Sequence, residues 1–417
     1  MKYLIYLCAV IGLVPGCVGD EDPPVASASQ ALTTTFTGTI PVNGWATRQI
    51  TLTATSDVSA SLSWASATSN LNLFLSNAAG TSIDFANGAA RPEVVDGTAL
   101  PAGTYTLGIK NKTGPSTAYT LTVTTTPVFH AAYPGQPVPG SVFWGAAISG
   151  NGDPITRHET PAGAPLALHR TFWQWNHRAT NLVQAARDDL EHARLPWVSV
   201  KTPSWAAMGA GTHDAEIDQM LVALDALPGP IWLTIHHEPE GGGGVNQPDD
   251  PAGPAGHVAM NRRVRQRITA LGVDNVALAP ILMSYTFKGA SGRNPDEWWA
   301  PGIYDFFGVD HYVATESSLI DTAWGAIRTW AAARGVDVAV GEWGMRGTDA
   351  AAGARVHAWY DAAIGSATDG RGARVVGLSA FDSNLNSPTG GWELFGQQLS
   401  AFRDLLGDPR TASINDE

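Results

Sequence analysis

The sequence predicts a (β/α)8 TIM barrel preceded by a small antiparallel β-sandwich, on three observations. Eight short apolar, strand-like runs recur between residues 142 and 382, most of them separated by amphipathic helical stretches. Upstream, residues 34–126 carry alternating runs rich in Thr, Val and Leu, broken by Gly, Asn and Asp. A Pro-rich stretch, YPGQPVPG at 133–140, divides the two patterns. With 417 residues and a hydrophobic fraction of 44%, the chain is long enough for two cores of ordinary globular composition.

The chain opens MKYLIYLCAVIGLVPGC. Lys2 precedes an apolar run from Tyr3 to Val14 that is too short to span a bilayer and suits a secretory signal. LVPGC resembles the lipobox of bacterial lipoproteins, which implies lipidation of Cys17 and a membrane anchor at the periplasmic face or cell surface. A plain signal peptide, with secretion, is the alternative. The other cysteine, Cys8, lies inside the signal, so no disulfide and no cysteine-rich metal site is available. The expected divisions are a signal at 1–16, a Pro- and Ser-rich tether at 17–33, the sandwich at 34–126, a linker at 127–140 and the barrel at 141–410.

In the sandwich, RQITLTAT, SASLSWAS, LNLFLSN and TYTLGIKN alternate with the period of half-buried strands. LSWASATSNLNLFLSNAAG and LPAGTYTLGIKNKTGPSTAYTLTV resemble the bacterial pre-peptidase C-terminal domain. That family often has aspartates where this chain has Asn70 and Asn72, and the expectation is a spacer domain without a ligand.

The barrel strands are VFWGAAI, ALHRTFW, WVSVKTP, IWLTIHHEP, NVALAPILM, FFGVDHY, VDVAVGEWG and VVGLSAFD. Helical stretches include ATNLVQAARDDLEHAR, DAEIDQMLVALDAL, AMNRRVRQRITALG and SLIDTAWGAIRTWAAARG, whereas the segments after the first and fifth strands are poor helices. An open doubly wound sheet would carry a Gly-rich phosphate turn after its first strand, and VFWGAAI is followed by none.

In such a barrel, functional groups sit where strands end. In IWLTIHHE, Ile231, Leu233 and Ile235 share one parity, leaving Trp232, Thr234, His236 and Glu238 toward the interior. Glu342 stands at the end of VDVAVGEWG on the parity of Val338 and Val340, and Asp310 and Tyr312 share a parity opposite to His311. Cleavage of a glycosidic bond needs two carboxyl groups flanking it, one protonated and one ionised, and Glu238 and Glu342 suit these roles.

These motifs resemble the clan A glycoside hydrolases, whose acid/base and nucleophile are glutamates at the ends of strands four and seven. Within the clan the chain is similar to family 26, the β-mannanase family, over roughly residues 142–405. His237 before Glu238, Asp310-x-Tyr312 on strand six and Glu342-x-Gly344 carry the likeness. The resemblance implies a retaining mechanism with Glu238 as acid/base, Glu342 as nucleophile, Tyr312 orienting the nucleophile and His237 in a sugar subsite. Alternation favours His236 over His237 on the side of Glu238, so both are candidates.

Family 26 mannanases follow the acid/base with aromatic-rich sequence, whereas this chain has PEGGGGVNQPDD. Stacking platforms are therefore sought among Trp144, Trp173, Trp175, Trp205, Trp343 and Trp392, and hydroxyl or charge contacts at Arg170 and Lys201. The balance of 38 acidic against 25 basic residues, net −13, argues against nucleic acid and favours a neutral polysaccharide or oligosaccharide. No cofactor or metal is expected, and a monomer is. Two rival readings are a surface glycan-binding lipoprotein without activity and a metal-dependent barrel hydrolase using His236, His237, Glu238, Glu240 and His311. Adjacent His236 and His237 point to opposite sides of a strand, which opposes a shared ion.

Overall fold

The computed structural model describes residues 31–241, 248–384 and 390–415. The expected signal, Cys17 and nearly all of the tether lie outside the described residues, as do Gly242, Gly243 and Gly244. No described helix is long and apolar enough to cross a membrane.

The alternating N-terminal runs form eight strands: β1 (Leu32–Ile40), β2 (Trp45–Leu52), β3 (Ser56–Trp64), β4 (Asn70–Asn77), β5 (Ser82–Ala86), β6 (Glu93–Leu100), β7 (Gly103–Thr113) and β8 (Thr117–Pro127). They make two antiparallel sheets, ordered β1-β8-β3-β6 and β2-β7-β4-β5. One face of each is apolar, and Leu62, Leu71, Leu73, Val95, Leu107, Ile109 and Leu121 fill the core between them. Leu32 and Thr33, expected in the tether, already pair with Thr125 and Thr124, so the strand begins two residues earlier.

The second unit contains β9 (Phe143–Ile148), β10 (Leu168–Gln174), β11 (Leu195–Lys201), β12 (Ile231–Ile235), β13 (Val276–Leu278), β14 (Ile281–Met283), β15 (Phe307–Tyr312), β16 (Val338–Gly344) and β17 (Val375–Asp382). They form one parallel sheet, ordered β13-β12-β11-β10-β9-β17-β16-β15-β14. The edge strands β13 and β14 are separated only by Ala279 and Pro280, so the sheet curls until its edges meet in a TIM-like barrel. NVALAPILM is thus two short strands, one paired with β12 and one with β15, because Pro280 has no N–H to continue the ladder.

Helices Asn181–Glu191, Asp214–Asp225, Gly253–Leu271 and Thr322–Ala332 lie on the four amphipathic stretches. After β9 and β14 the chain forms only short helical turns. Leu233, Ile235, Val198, Val200, Val338 and Val340 face the helices. The opposite parity fills the barrel with Phe143, Leu168, Trp197, Trp232, Ala339 and Val376. Trp197 and Trp232 meet edge-on at 5.3 Å, and the Trp197 indole donates to Thr234 Oγ1 at 2.9 Å.

The segment between the two units closes the N-terminal end of the barrel. Tyr133 stacks on Phe306 at 5.4 Å and donates to Asp337 Oδ2 at 3.0 Å, and Trp232 donates to the Pro134 carbonyl at 3.2 Å. That leaves the C-terminal strand ends as the open face.

Closing so small a barrel forces β9 and β10 together at Gly145, where a Cβ would stand 1.6 Å from the Leu168 carbonyl oxygen. Gly145→Ala is expected to destabilise the chain by about 3 kcal/mol or more. Urea unfolding checks this, and a change below about 1 kcal/mol contradicts the tight packing.

Candidate active site

β12 ends at Ile235, and its alternation ends there too. His236 has φ 58° and Glu238 φ 47°, left-handed backbone that non-glycine residues adopt at a cost of about 1–3 kcal/mol. This turn sends His236 away from the barrel mouth. Its Nε2 meets Asp249 Oδ2 at 2.9 Å, its Nδ1 meets the Trp205 indole N–H at 3.1 Å, and it is 5% exposed. His237 turns to the mouth instead, with its ring 5.2 Å from that of Phe172. Strict alternation pointed to His236, whereas His237 is the one turned to the mouth, and both line the cleft beside Glu238.

A second irregularity aims Glu342. Val338 and Val340 face the helices, and unbroken alternation would send Glu342 after them. Val309 pairs with Val340 but Asp310 pairs with Glu342, so Gly341 bulges without an opposite residue. Glu342 turns inward and Trp343 outward. A Cβ on Gly341 would lie 2.8 Å from Asp310 Oδ1 and 2.9 Å from Ile281 Cδ1, so any larger residue in the bulge would push the Asp310 carboxyl or the Ile281 methyl aside.

The strand ends bring Glu238, Asp310 and Glu342 together: one oxygen from each lies within 4.8 Å of the other two. The Tyr312 hydroxyl donates to Glu342 Oε2 at 2.6 Å. Arg170, with no exposed surface, lies across from them, its Nη2 3.7 Å from Glu342 Oε1 and its Nη1 donating to Ser199 Oγ at 2.9 Å. The guanidinium packs over Phe172 and Trp197 at 4.6 and 5.1 Å, which keeps it dry.

Burial and the charges of Glu342 and Glu240 push the Glu238 pKa up to about 8, against Arg170 and a hydrogen bond to Asp310. Burial also raises Glu342, but Arg170 and the Tyr312 hydroxyl pull it back. Asp310, buried with the charges of Glu342 and Glu238 close by, is raised well above the carboxylate range. Burial and then Arg170 hold His237 well below its usual pKa, so its imidazole is neutral. Arg170 and the Tyr312 hydroxyl thus favour the charged form at Glu342, while Glu238 is the carboxyl pushed up to about 8.

A cleft of about 180 Å³ beside Glu238 is lined by Lys201, His236, His237, Gly241 and Asp249. Larger hollows, of about 440 and 520 Å³, lie at the opposite end around Tyr133, Pro134 and Pro137. Lys201 pairs with Asp249 at 3.2 Å on the rim and makes no contact with Glu342. His311 points outward, and its Nε2–H donates to the Leu319 carbonyl at 2.8 Å.

Three expected platforms are corrected. Trp144 and Trp343 are fully buried and stack on each other at 5.4 Å behind the strands, because the β9 parity and the β16 bulge turn both toward the helices. Trp205 is also fully buried, edge-on to His236 at 4.9 Å. Trp173 and Trp175 are half-buried, and their indoles bond Thr171 and Glu216. Trp392 is the half-buried tryptophan at the mouth, 4.8 Å from the Tyr312 ring. Phe172 and Ser199 were missed as site residues, and Glu240 was considered only as a metal ligand. The first two were readable, since Phe172 shares the parity of Arg170, and Ser199 that of Trp197.

No family model matches the chain, and no curated protein does. Among solved structures it is similar to a Podospora anserina GH26-CBM35 β-(1,4)-mannanase, at 15% identity over 93% of this chain and 97% of that one, with TM-score 0.41. A Cellulomonas fimi endo-β-1,4-mannanase matches at 15% identity over 67% and 74%, TM-score 0.47. The CBM22-1-GH10 modules of a Clostridium thermocellum endo-1,4-β-D-xylanase match at 10% identity over 93% and 98%, TM-score 0.42. Likenesses this distant assign no activity.

The raised carboxyls make stability depend on pH. Glu238 moves from 4.5 unfolded to about 8 folded, so the folded state binds the proton more tightly, and stability is lost as pH rises from about 4.5 to 8. Glu238→Gln removes this loss. Its melting temperature should match the wild type near pH 4 and exceed it by a growing margin up to pH 8; calorimetry showing a constant difference would contradict the shift.

Proposed function

We propose that the chain is a retaining glycoside hydrolase acting by double displacement, on a (β/α)8 barrel in which β13 and β14 count as one strand. The observation that carries this is the spacing: one oxygen each of Glu238 and Glu342 lies within 4.8 Å of the other, close to the ~5–5.5 Å of retaining pairs and short of the ~6.5–9.5 Å that an inverting enzyme needs to seat a water. In the first step the Glu342 carboxylate forms an ester to the anomeric carbon while Glu238 gives its proton to the departing glycosidic oxygen. In the second, Glu238 takes a proton from water, the water oxygen joins the anomeric carbon, and the ester bond breaks.

Tyr312 and Arg170 hold Glu342 in the attacking geometry and stabilise its charge. Neutral His237 offers a donor to a sugar hydroxyl. The substrate is a neutral β-linked polysaccharide or oligosaccharide, in keeping with net charge −13, and β-mannan is the first candidate from the motifs around Glu238 and Glu342. The chain works outside the cytoplasm as a monomer anchored through lipidated Cys17, with the sandwich as a spacer.

The three-carboxylate cluster also has the spacing of a divalent-cation site, which favours a metal-dependent hydrolase as second reading. The Arg170 charge and the Tyr312 donor at the same place oppose a cation there.

Screening against mannan, xylan, glucan and uronate-rich polysaccharides should show hydrolysis of a neutral one. Glu342→Ala should lower it by about a thousand-fold or more, and a chelator should leave the wild type unchanged. Full activity in Glu342→Ala, or loss with chelator, sinks the reading; binding without cleavage by both proteins supports the glycan-binding alternative. The kcat/KM profile should fall on its alkaline side near pH 8 as Glu238 loses its proton, and a flat profile through pH 9 would count against Glu238 as the acid.

A further inference from the structure

Glu240 is a fourth carboxyl at the site, and the mechanism above does not use it. It is 2% exposed. Its Oε1 accepts from the Met283 N–H at 2.7 Å and the Thr286 hydroxyl at 2.8 Å, while Oε2 has no hydrogen-bond partner. Burying a carboxyl with one oxygen unsatisfied is costly, so the segment it ties down must gain from it. Burial pushes its pKa up to about 7, and the charged groups that face it are Glu238, Asp310 and Arg293.

The contacts show what is tied. The Glu238 N–H donates to the Ile281 carbonyl at 2.9 Å, and the Glu238 carbonyl accepts from the Gly241 N–H at 2.9 Å. Ile281 and Met283 are the first and last residues of β14. The left-handed segment around Glu238 is therefore held to one end of β14 by backbone and to the other by the Glu240 side chain. With the second hold gone, the strained backbone at His236 and Glu238 has a route to relax.

We propose that Glu240 is a positioning residue: it clamps the segment after β12 onto the end of β14 and so aims the acid/base carboxyl of Glu238. The proposal rests on the glycosidase reading for its effect on rate, and on geometry alone for its effect on Glu238.

The test compares Glu240→Ala, Glu240→Gln and Thr286→Val with the wild type on two aryl glycosides. One has a good leaving group that departs without a proton, and the other a poor one that needs the acid. Glu240→Ala should lower kcat on the poor leaving group at least about ten-fold more than on the good one. Glu240→Gln keeps a carbonyl for Met283 and Thr286, so it should recover most of that loss. Lacking the negative charge that raises Glu238, it should also move the alkaline limb to lower pH. Thr286→Val should act in the direction of Glu240→Ala, and less.

An alanine variant equal to the wild type overturns the proposal. So does an equal loss on both substrates that tracks melting temperature and is not rescued by Gln, which marks a structural role only. Should the wild type hydrolyse no glycoside, the glycosidase reading falls separately. Carboxyl 13C NMR then decides the clamp: Glu240→Ala and Glu240→Gln both lack the charge, so if the proposal holds the Glu238 resonance shifts further in Glu240→Ala than in Glu240→Gln, and identical Glu238 titrations in the two variants overturn it.

Discussion

The buried guanidinium of Arg170 lets three carboxyl groups share one end of the barrel. Like charges this close, out of water, oppose each other's ionisation strongly, and a single cation offsets the charge of one carboxylate rather than three. Arg170 is nearest Glu342, which also has the Tyr312 hydroxyl. The negative charge settles there, and Glu238 is left holding a proton near neutral pH. The division into anion and acid follows from where one arginine lies, and Phe172, Trp197 and Ser199 fix where it lies.

The rest of the barrel serves this placement. Trp197 and Trp232 fill the interior below the site, and Tyr133 seals the far end, so the polar groups are confined to the mouth. The site is an expense of stability that the core carries: buried carboxyls with raised pKa values and two left-handed non-glycine residues all oppose folding. Strain of this kind just after β12, at a group with a strongly shifted pKa, marks where the fold gives up stability for chemistry.

Periodicity made most of the scaffold legible. Ile231, Leu233 and Ile235 face the helices as their parity requires, and Asp310 and Tyr312 face the mouth together. It failed where the backbone leaves the regular strand. The turn at His236 exchanged the two histidines, and the Gly341 bulge reversed Glu342 and Trp343, sending a tryptophan expected at the mouth into the layer behind it. Neither event has a signature in hydrophobic alternation, although a glycine just before a strand-end glutamate is the residue a bulge beside a carboxyl needs. Glu240 was visible only as a possible metal ligand: its contacts are with Met283 and Thr286, more than forty residues away in the chain.

The central claim is that Glu342 attacks the sugar and carries it covalently. A 2-deoxy-2-fluoro glycoside with a good leaving group slows the breakdown of such an ester more than it slows its formation. Intact-mass spectrometry after incubation should show one added glycosyl unit per chain, and fragmentation should place it on Glu342. A label on another residue, or turnover that releases a sugar of inverted configuration without any label, would contradict the account.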